Sequence, residues 1–210
     1  MKTAALFDLD GVIIDTEPSY TEFWAGIGKE YFPEDEHFAL RLKGQTLTYI
    51  FETFFPGDQK RQEAIQHRLL EHQQTMSYPF IPGAMEFIHQ LRAKGIGIAV
   101  VTSSDCAKMQ NLYKEHPDFL SQFDRIFTAE DALRSKPAPD CYIAAAHFFG
   151  LEPAQCVVFE DSFNGLKAGR ASGAKVVGLS TSNPAQEVAE YSDLVVSDFQ
   201  ETASLLELFD

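Results

Sequence analysis

Short runs of apolar residues alternate with stretches of helical spacing along most of the chain. Five of these runs lack polar alternation, which is typical of parallel strands covered on both faces: Thr3–Phe7, Ile96–Val101, Cys156–Phe159, Lys175–Leu179 and Asp193–Val196. The spacing between them predicts helices over Ala84–Lys94, Asp140–Phe149 and Asn164–Ser172. This alternation predicts a doubly wound, Rossmann-like α/β core with a parallel sheet.

One region interrupts the alternation. From about Glu17 to Tyr78 no strand-like run occurs and the spacing is helical, over a length far beyond that of an ordinary strand-to-helix loop. We therefore predict an α/β catalytic core of residues 1–15 and 80–210, with an inserted helical cap of residues 16–79. An insertion after the first strand is expected over the carboxyl ends of the strands, where open α/β sheets bind their ligands.

The charge balance narrows the range of partners. The 210 residues include 17 basic and 31 acidic side chains, a formal net charge of −14, which argues against nucleic acid or an anionic membrane as a partner. An anionic substrate would need a metal ion and a local lysine to reverse the sign of the field. No leader or bilayer-spanning run is evident, so we expect a soluble, cytoplasmic protein. A monomer is compatible with the sequence, which leaves the oligomeric state open.

The three cysteines carry no metal-binding or disulfide pattern. Cys106, Cys141 and Cys156 are widely spaced and form no CxxC pair. Since free cysteine is among the most frequently buried residues, we expect three buried thiols.

The candidate chemistry begins with Asp8-Leu9-Asp10-Gly11, directly after the first predicted strand. One carboxylate there could attack phosphorus while the other handles a proton, although acidic pairs are also common in ordinary turns. Thr102 and Ser103 end a second strand with hydroxyls and backbone amides suited to phosphate oxygens; alternatively, they cap the next helix.

Two further segments complete the set. Lys136 precedes a helix start marked by Pro137 and Pro139, and could place an ammonium near the strand ends. Glu160 and Asp161 emerge from an apolar strand and fit an oxygen-ligated Mg²⁺ site; alternatively, Asp161 caps the helix that follows.

These four segments, in this order, resemble the four motifs of the haloacid dehalogenase superfamily across essentially the whole chain. Asp8-Leu9-Asp10-Gly11-Val12, Ser135-Lys136-Pro137-Ala138-Pro139-Asp140 and Glu160-Asp161-Ser162 are similar to its β-phosphoglucomutase and sugar-phosphatase branch, which has a small helical cap. The resemblance implies a Mg²⁺-dependent enzyme that acts on a small phosphorylated metabolite through an aspartyl-phosphate.

The resemblance also implies individual roles. Asp8 would be the nucleophile, and Asp10 the general acid and base that lends its backbone carbonyl to Mg²⁺. Thr102 and the Ser103 amide would bind the transferring phosphoryl group, and Lys136 would bridge that group and Asp8. Asp161 would complete the metal shell, with Glu160 as a second candidate.

Two positions favour a phosphatase over a mutase. Tyr20 stands where the mutase has a cap histidine, and Leu47 stands where it has an arginine for a second phosphate. An apolar side chain cannot bind a phosphate, although Arg41 or Lys43 could compensate. The cap residues expected to select the substrate are Thr16, Tyr20, Lys43, Gly44, Gln45 and Thr46, whereas Trp24, Phe51, Phe54 and Phe55 are expected to form the apolar core of the cap.

Two rival hypotheses remain. A signalling receiver domain also forms an aspartyl-phosphate, but the helical insertion and Asp10 argue against it. A catalytically idle interaction protein could retain the fold, but the presence of all the motif residues argues against that.

Overall fold

The computed structural model describes residues 3–42 and 47–210, which divide into two compact units. The first unit runs to Asp15 and resumes from Tyr78 to Asp210, and the second is Thr16–Ser77. The helices described in these ranges include none with both the length and the apolar character needed to cross a bilayer.

The first unit is built on a parallel sheet of six strands: β1 (Ala4–Phe7), β2 (Gly97–Val101), β3 (Arg125–Phe127), β4 (Cys156–Glu160), β5 (Lys175–Leu179) and β6 (Leu194–Val196). Their order in the sheet is β3-β2-β1-β4-β5-β6. The doubly wound α/β prediction is confirmed. Strand β3 was missed, because three residues that include a charged Arg125 at the sheet edge give too short an apolar run.

Buried β1 organises the packing on both faces of the sheet. On one face Ala4 and Leu6 join a core cluster with Tyr142 and Leu166. On the other, Phe7 stacks on Phe159 of β4, with ring centroids 4.5 Å apart. Because both faces of the sheet are covered, the side chains on both sides of β1 are buried, which explains why its sequence is apolar without polar alternation. The helices of this unit are α5 (Ala84–Ala93), α6 (Cys106–Glu115), α7 (Asp140–Phe148), α8 (Phe163–Ser172), α9 (Ala185–Ala189) and α10 (Ala203–Leu206).

The order of the strands determines where a crevice can form at the edge of the sheet. Successive connections run from β1 out to β3 on one side, and the chain then returns to β4 beside β1. In open α/β sheets this reversal opens a crevice at the carboxyl ends of the two central strands. Phe7 of β1 is in register with Phe159 of β4, so Asp8 and Glu160 leave neighbouring strands side by side.

The second unit is entirely helical where it is described: α1 (Glu17–Tyr31), α2 (Phe38–Arg41), α3 (Leu47–Phe54) and α4 (Gln59–Thr75). Its core is an apolar cluster that contains Trp24 and Phe55, with Phe51 and Phe54 packed against it. The prediction that these four aromatic residues form the apolar core of the helical region is confirmed.

The cysteine prediction is partly wrong. Cys141 and Cys156 are buried free thiols, but Cys106 is exposed. Cys106 is the first residue of α6, and its neighbours Asp105 and Ala107 are also exposed, so this start of the helix faces solvent.

Candidate functional site

Asp8 is the first residue after β1 and is held at the carboxyl edge of the sheet. Its amide donates to the carbonyl oxygen of Phe159, 2.9 Å away, which continues the pairing of β1 with β4 by one residue. The chain then turns sharply at Gly11, whose φ of +74° suits glycine. Burial raises the pKa of Asp8 to about 7; the Lys136 ammonium opposes this shift and the nearby Glu160 carboxylate adds to it.

Lys136 is the cation that faces Asp8. Its Nζ donates to Asp8 Oδ1 at 2.5 Å, to the Val101 carbonyl oxygen at 2.9 Å and to Glu160 Oε1 at 2.7 Å. The ammonium also lies 4.9 Å from the ring centroid of Tyr142, within cation–π distance. Burial by itself would lower the pKa of Lys136, but Asp8 and Glu160 raise it well above its usual value. The side chain is therefore a fixed positive charge.

Glu160 anchors that lysine. Its Oε1 accepts from Lys136 and from the Tyr142 hydroxyl at 3.1 Å, and its Oε2 accepts from the amide of Asp161 at 2.9 Å and from the amide and hydroxyl of Ser162, each at 3.0 Å. Helix α8 passes so close that a Cβ on Gly165 would lie 1.5 Å from Glu160 Oε1. Both carboxylate oxygens of Glu160 therefore carry protein hydrogen bonds, which hold the side chain beside Lys136.

Asp161 is held from the loop that follows β5. Its Oδ2 accepts a hydrogen bond from Ser182 Oγ, and its backbone carbonyl accepts from Asn183 Nδ2 at 2.9 Å. In the same loop Thr181 Oγ1 donates to the Gly11 carbonyl at 2.6 Å and ties the first motif to this edge of the sheet. Sequence reasoning missed this segment, although hydroxyl groups after an apolar strand are the same signal that identified Thr102. The alternative role of Asp161 as a helix cap is wrong, because Ser162 caps α8.

The acidic cluster has the donors that a hard cation prefers. Asp8, Glu160 and Asp161 each offer a carboxylate oxygen within 4.8 Å of the others, and all three residues are buried. Burial and the charges of Glu160 and Asp8 raise the pKa of Asp161 well above its usual value, although Ser182 opposes the shift. Three crowded carboxylates beside one ammonium leave negative charge that a divalent cation would neutralise. The donor set therefore fits Mg²⁺.

Asp10 lies to one side of this cluster and has its own partners. Its Oδ2 accepts from Ser104 Oγ at 2.9 Å, and its Oδ1 accepts from Lys108 Nζ at 2.5 Å. Lys108 is only 6% exposed. Neither Ser104 nor Lys108 was identified from the sequence, and a lysine in the first turn of a helix carries no signal that it will be buried.

Thr102 and Ser103 follow β2 at the same edge. Thr102 is buried, and its Oγ1 accepts from the Ser104 amide at 2.9 Å, which shapes the turn. Ser103 is exposed. The alternative in which these two residues cap the next helix is wrong, because the Asp105 side chain caps α6 by accepting from the Lys108 amide at 2.8 Å.

The candidates in the helical unit differ in environment. Thr16 is buried at the start of α1, and the Tyr20 hydroxyl accepts from Gln73 Nε2 at 3.1 Å. Leu47 packs against the apolar cluster of this unit, and Arg41 is ion-paired with Asp35. Lys43, Gly44, Gln45 and Thr46 lie outside the described residues.

Comparison with known proteins identifies a family and several relatives of this chain. Residues 2–173 match the family of haloacid dehalogenase-like hydrolases. The chain is 29% identical over 199 residues to hexitol phosphatase A of Escherichia coli, covering 93% of this chain and 91% of the relative. It is 30% identical over 211 residues to validoxylamine A 7′-phosphate phosphatase of Streptomyces hygroscopicus, covering 96% of each. The crystal structure of a HAD hydrolase of family IA, variant 3, from Entamoeba histolytica shares the fold, with a TM-score of 0.82, 24% identity and coverage of 100% of this chain and 98% of that one. The chain therefore belongs to the haloacid dehalogenase-like hydrolase family, as its four motifs predicted.

Proposed function

We propose that this protein is a Mg²⁺-dependent phosphatase that hydrolyses a small phosphorylated metabolite, a sugar or sugar-alcohol phosphate, through an aspartyl-phosphate on Asp8. The observation that carries the proposal is the 2.5 Å contact between the buried Asp8 carboxylate and Lys136 Nζ, beside the carboxylate of Asp161. A carboxylate and an ammonium buried together at the crevice of an open α/β sheet suit phosphoryl transfer, in which catalysis is mostly positioning and electrostatics.

In the first step a carboxylate oxygen of Asp8 attacks phosphorus and the bond from phosphorus to the ester oxygen breaks. Asp10 gives a proton to the departing oxygen. In the second step Asp10 takes a proton from water, the water oxygen attacks phosphorus, and the bond between phosphorus and Asp8 breaks. Lys136, the Thr102 hydroxyl and the Ser103 amide bind the oxygens of the transferring group.

Asp8, Asp161 and the backbone carbonyl of Asp10 are the groups we assign to Mg²⁺, with Glu160 acting through Lys136. When bound, Mg²⁺ supplies the positive charge that lowers the repulsion between a carboxylate nucleophile and a phosphate dianion. This local charge explains how a chain with a net charge of −14 can attract an anionic substrate.

The names of the relatives support the proposed substrate class. The names of both phosphatases reported above denote phosphates of polyhydroxylated compounds. Thr16, Tyr20, Lys43, Gly44, Gln45 and Thr46 remain the residues we expect to select among such substrates. That neither nucleic acid nor a membrane is a partner remains a prediction from the charge.

Hydrolysis is favoured over mutase chemistry by the environments of Leu47 and Arg41. A mutase must hold the second phosphate of a bisphosphate intermediate, but Leu47 is packed into an apolar cluster and Arg41 is paired with Asp35. We therefore expect water to be the acceptor of the phosphoryl group.

The test is a panel of hexitol phosphates, hexose 1- and 6-phosphates, glycolate-like acid phosphates and nucleotides, with Mg²⁺ and with EDTA. Glucose 1-phosphate is included with and without a bisphosphate activator. We expect Mg²⁺-dependent release of phosphate without isomer formation, and acid quenching should trap phosphate on Asp8. Isomer formation would identify a mutase instead. A stable phospho-Asp8 without turnover would identify a receiver, and inertness with every substrate would contradict the proposal.

A further inference from the structure

Lys108 is a second buried lysine near the strand-end cluster, and none of the steps above uses it. It lies in the first turn of α6, and its side chain is 7% exposed, whereas that of its partner Asp10 is 31% exposed. The neighbouring residue Met109 and Leu112 on the same helix are buried apolar residues. In contrast, Lys114 of this helix is exposed.

Burial of an ammonium group costs several kcal/mol unless a partner compensates for the lost water. At Lys108 the partner is Asp10, at 2.5 Å from Nζ to Oδ1. The other Asp10 oxygen accepts from Ser104, four residues earlier in the chain. Residues 104–108 therefore bind both oxygens of one carboxylate, and the Asp105 cap fixes the backbone of this segment.

We propose that Lys108 is a positioning residue that, together with Ser104, holds the Asp10 carboxylate in the orientation required for proton transfer. The inference rests on the proposed function, because it assigns Lys108 a role only through Asp10 as acid and base. Two bonds from one rigid segment fix the direction of a carboxylate more closely than either bond alone, and proton transfer requires the donor within hydrogen-bond reach of the reacting oxygen.

The position of Asp10 agrees with this role. Its carboxylate is close enough to Asp8 and Asp161 for its charge to raise the pKa of both. Its own two oxygens meanwhile accept hydrogen bonds from Lys108 and Ser104.

The test begins with Lys108→Met, which keeps an unbranched side chain one atom shorter and removes its charge, and with Lys114→Met as the matched control on the same helix. For the best sugar or sugar-alcohol phosphate we expect kcat to fall on the order of 10- to 100-fold in Lys108→Met, part of the 10²- to 10⁴-fold typical of general acid–base catalysis. KM should stay within about 3-fold, because the group acts in the transition state rather than in substrate binding. Lys114→Met should match the wild type.

A substrate with a different leaving group distinguishes the loss of Asp10 orientation from a general disruption of the site. With p-nitrophenyl phosphate the leaving group departs without a proton, so Lys108→Met should give a normal initial burst of p-nitrophenolate. The later steady state should be slow, because the second step still requires Asp10 to activate water. A burst slowed as much as the steady state would overturn the inference.

A double-mutant cycle decides whether Lys108 acts through Asp10. In an Asp10→Asn background, Lys108→Met should lower kcat no further, because the group it positions is already absent. Additive losses, or a large rise in KM, would instead mean that Lys108 binds the substrate phosphate directly. An unchanged kcat in the single variant would remove Lys108 from the mechanism.

If Lys108→Met does not fold, Lys108→Arg and Ser104→Ala are examined with the same readouts and the same criteria. Failure of the proposed function itself would be visible separately, as a wild-type protein that hydrolyses no ester.

Discussion

The strand-end site and the helical unit are stabilised in opposite ways. At the carboxyl edge of the sheet, buried charged groups are held by specific hydrogen bonds, as in the contacts of Lys136 with Asp8 and Glu160. In the helical unit the interior is aromatic: Phe38 stacks on Phe32 with centroids 4.6 Å apart and meets Phe54 edge-on at 5.2 Å. The first arrangement depends on the position of each atom, whereas the second depends on filled volume.

This contrast predicts different consequences for substitutions in the two regions. A buried carboxylate that loses its cation costs several kcal/mol, so the site tolerates little change. An aromatic cluster accepts substitutions that keep its volume. We therefore expect substitutions in the site to change chemistry and substitutions in the helical cluster to change stability.

The largest expected effect is that of Asp8→Asn. Loss of the proposed nucleophile should lower turnover on the order of 10³-fold or more. Since burial disfavours the charged form of Asp8, a neutral isostere should leave the melting temperature of the metal-free protein unchanged or higher. Steady-state assays and calorimetry measure the two effects, with the exposed Asp118→Asn as control. If activity and stability fall together, the distinction between the two regions does not hold.

Phe38→Ala should have the next largest effect, on stability. Phe38 is 1% exposed, and such a truncation costs about 3–5 kcal/mol. Hydrogen exchange should therefore show opening of Thr16–Ser77, while the amides of β1 and β4 remain protected. Leu40→Ala in the same short helix α2 is the control, since Leu40 is 55% exposed and should matter little. Equal loss of protection in β1 would mean that the two units unfold as one.

Ser182→Ala tests the loop that holds Asp161. Because Ser182 Oγ donates to Asp161 Oδ2, its removal frees the carboxylate to rotate. Groups that orient metal ligands typically contribute about 10- to 100-fold in metal affinity or activity. We expect the Mg²⁺ concentration for half-maximal activity to rise within that range, with Ser180→Ala, whose hydroxyl faces the Val196 carbonyl, unchanged. An unaltered Mg²⁺ requirement would show that Asp161 needs no such support.

The smallest expected effect is a pH dependence of stability. Burial raises the pKa of Asp8 from 3.8 to about 7, so between these values the folded chain binds more protons than the unfolded chain. The contribution of Asp8 to the free energy of unfolding therefore falls as pH rises through this window. In EDTA, the melting temperature of Asp8→Asn minus that of the wild type should increase by a few degrees from about pH 4 to about pH 7.

Mg²⁺ should reverse this trend. Because the ion binds deprotonated carboxylates, its stabilisation of the wild type should grow with pH over the same window. Asp8→Asn should respond less to Mg²⁺. A constant difference between the two proteins at all pH values would mean that Asp8 titrates normally in the fold.

The main features of the fold were readable from local sequence. Apolar runs such as Cys156–Phe159 are buried on both faces, and a strand with that environment needs no polar alternation. The motif acids Asp8 and Asp161 could be found because Asp8 directly follows such a run and Asp161 stands two residues after another. In contrast, the edge strand β3 escaped detection, since Arg125–Phe127 has neither length nor alternation.

The supports of the site were not readable in this way. Lys108 meets Asp10 across 98 positions of the chain, and Ser182 meets Asp161 across 21. Glu160 was expected near a metal, but its hydrogen bonds with Lys136 and with the Tyr142 hydroxyl were not.

The amino-acid sequence by itself thus determined where strands end and which acids stand there, because strand burial and motif spacing are properties of neighbouring residues. Only the tertiary structure decided which lysine faces which carboxylate. Pairing of that kind depends on the order of strands in the sheet, which brings residues far apart in the chain to one edge, and on burial, which makes each unmatched charge costly.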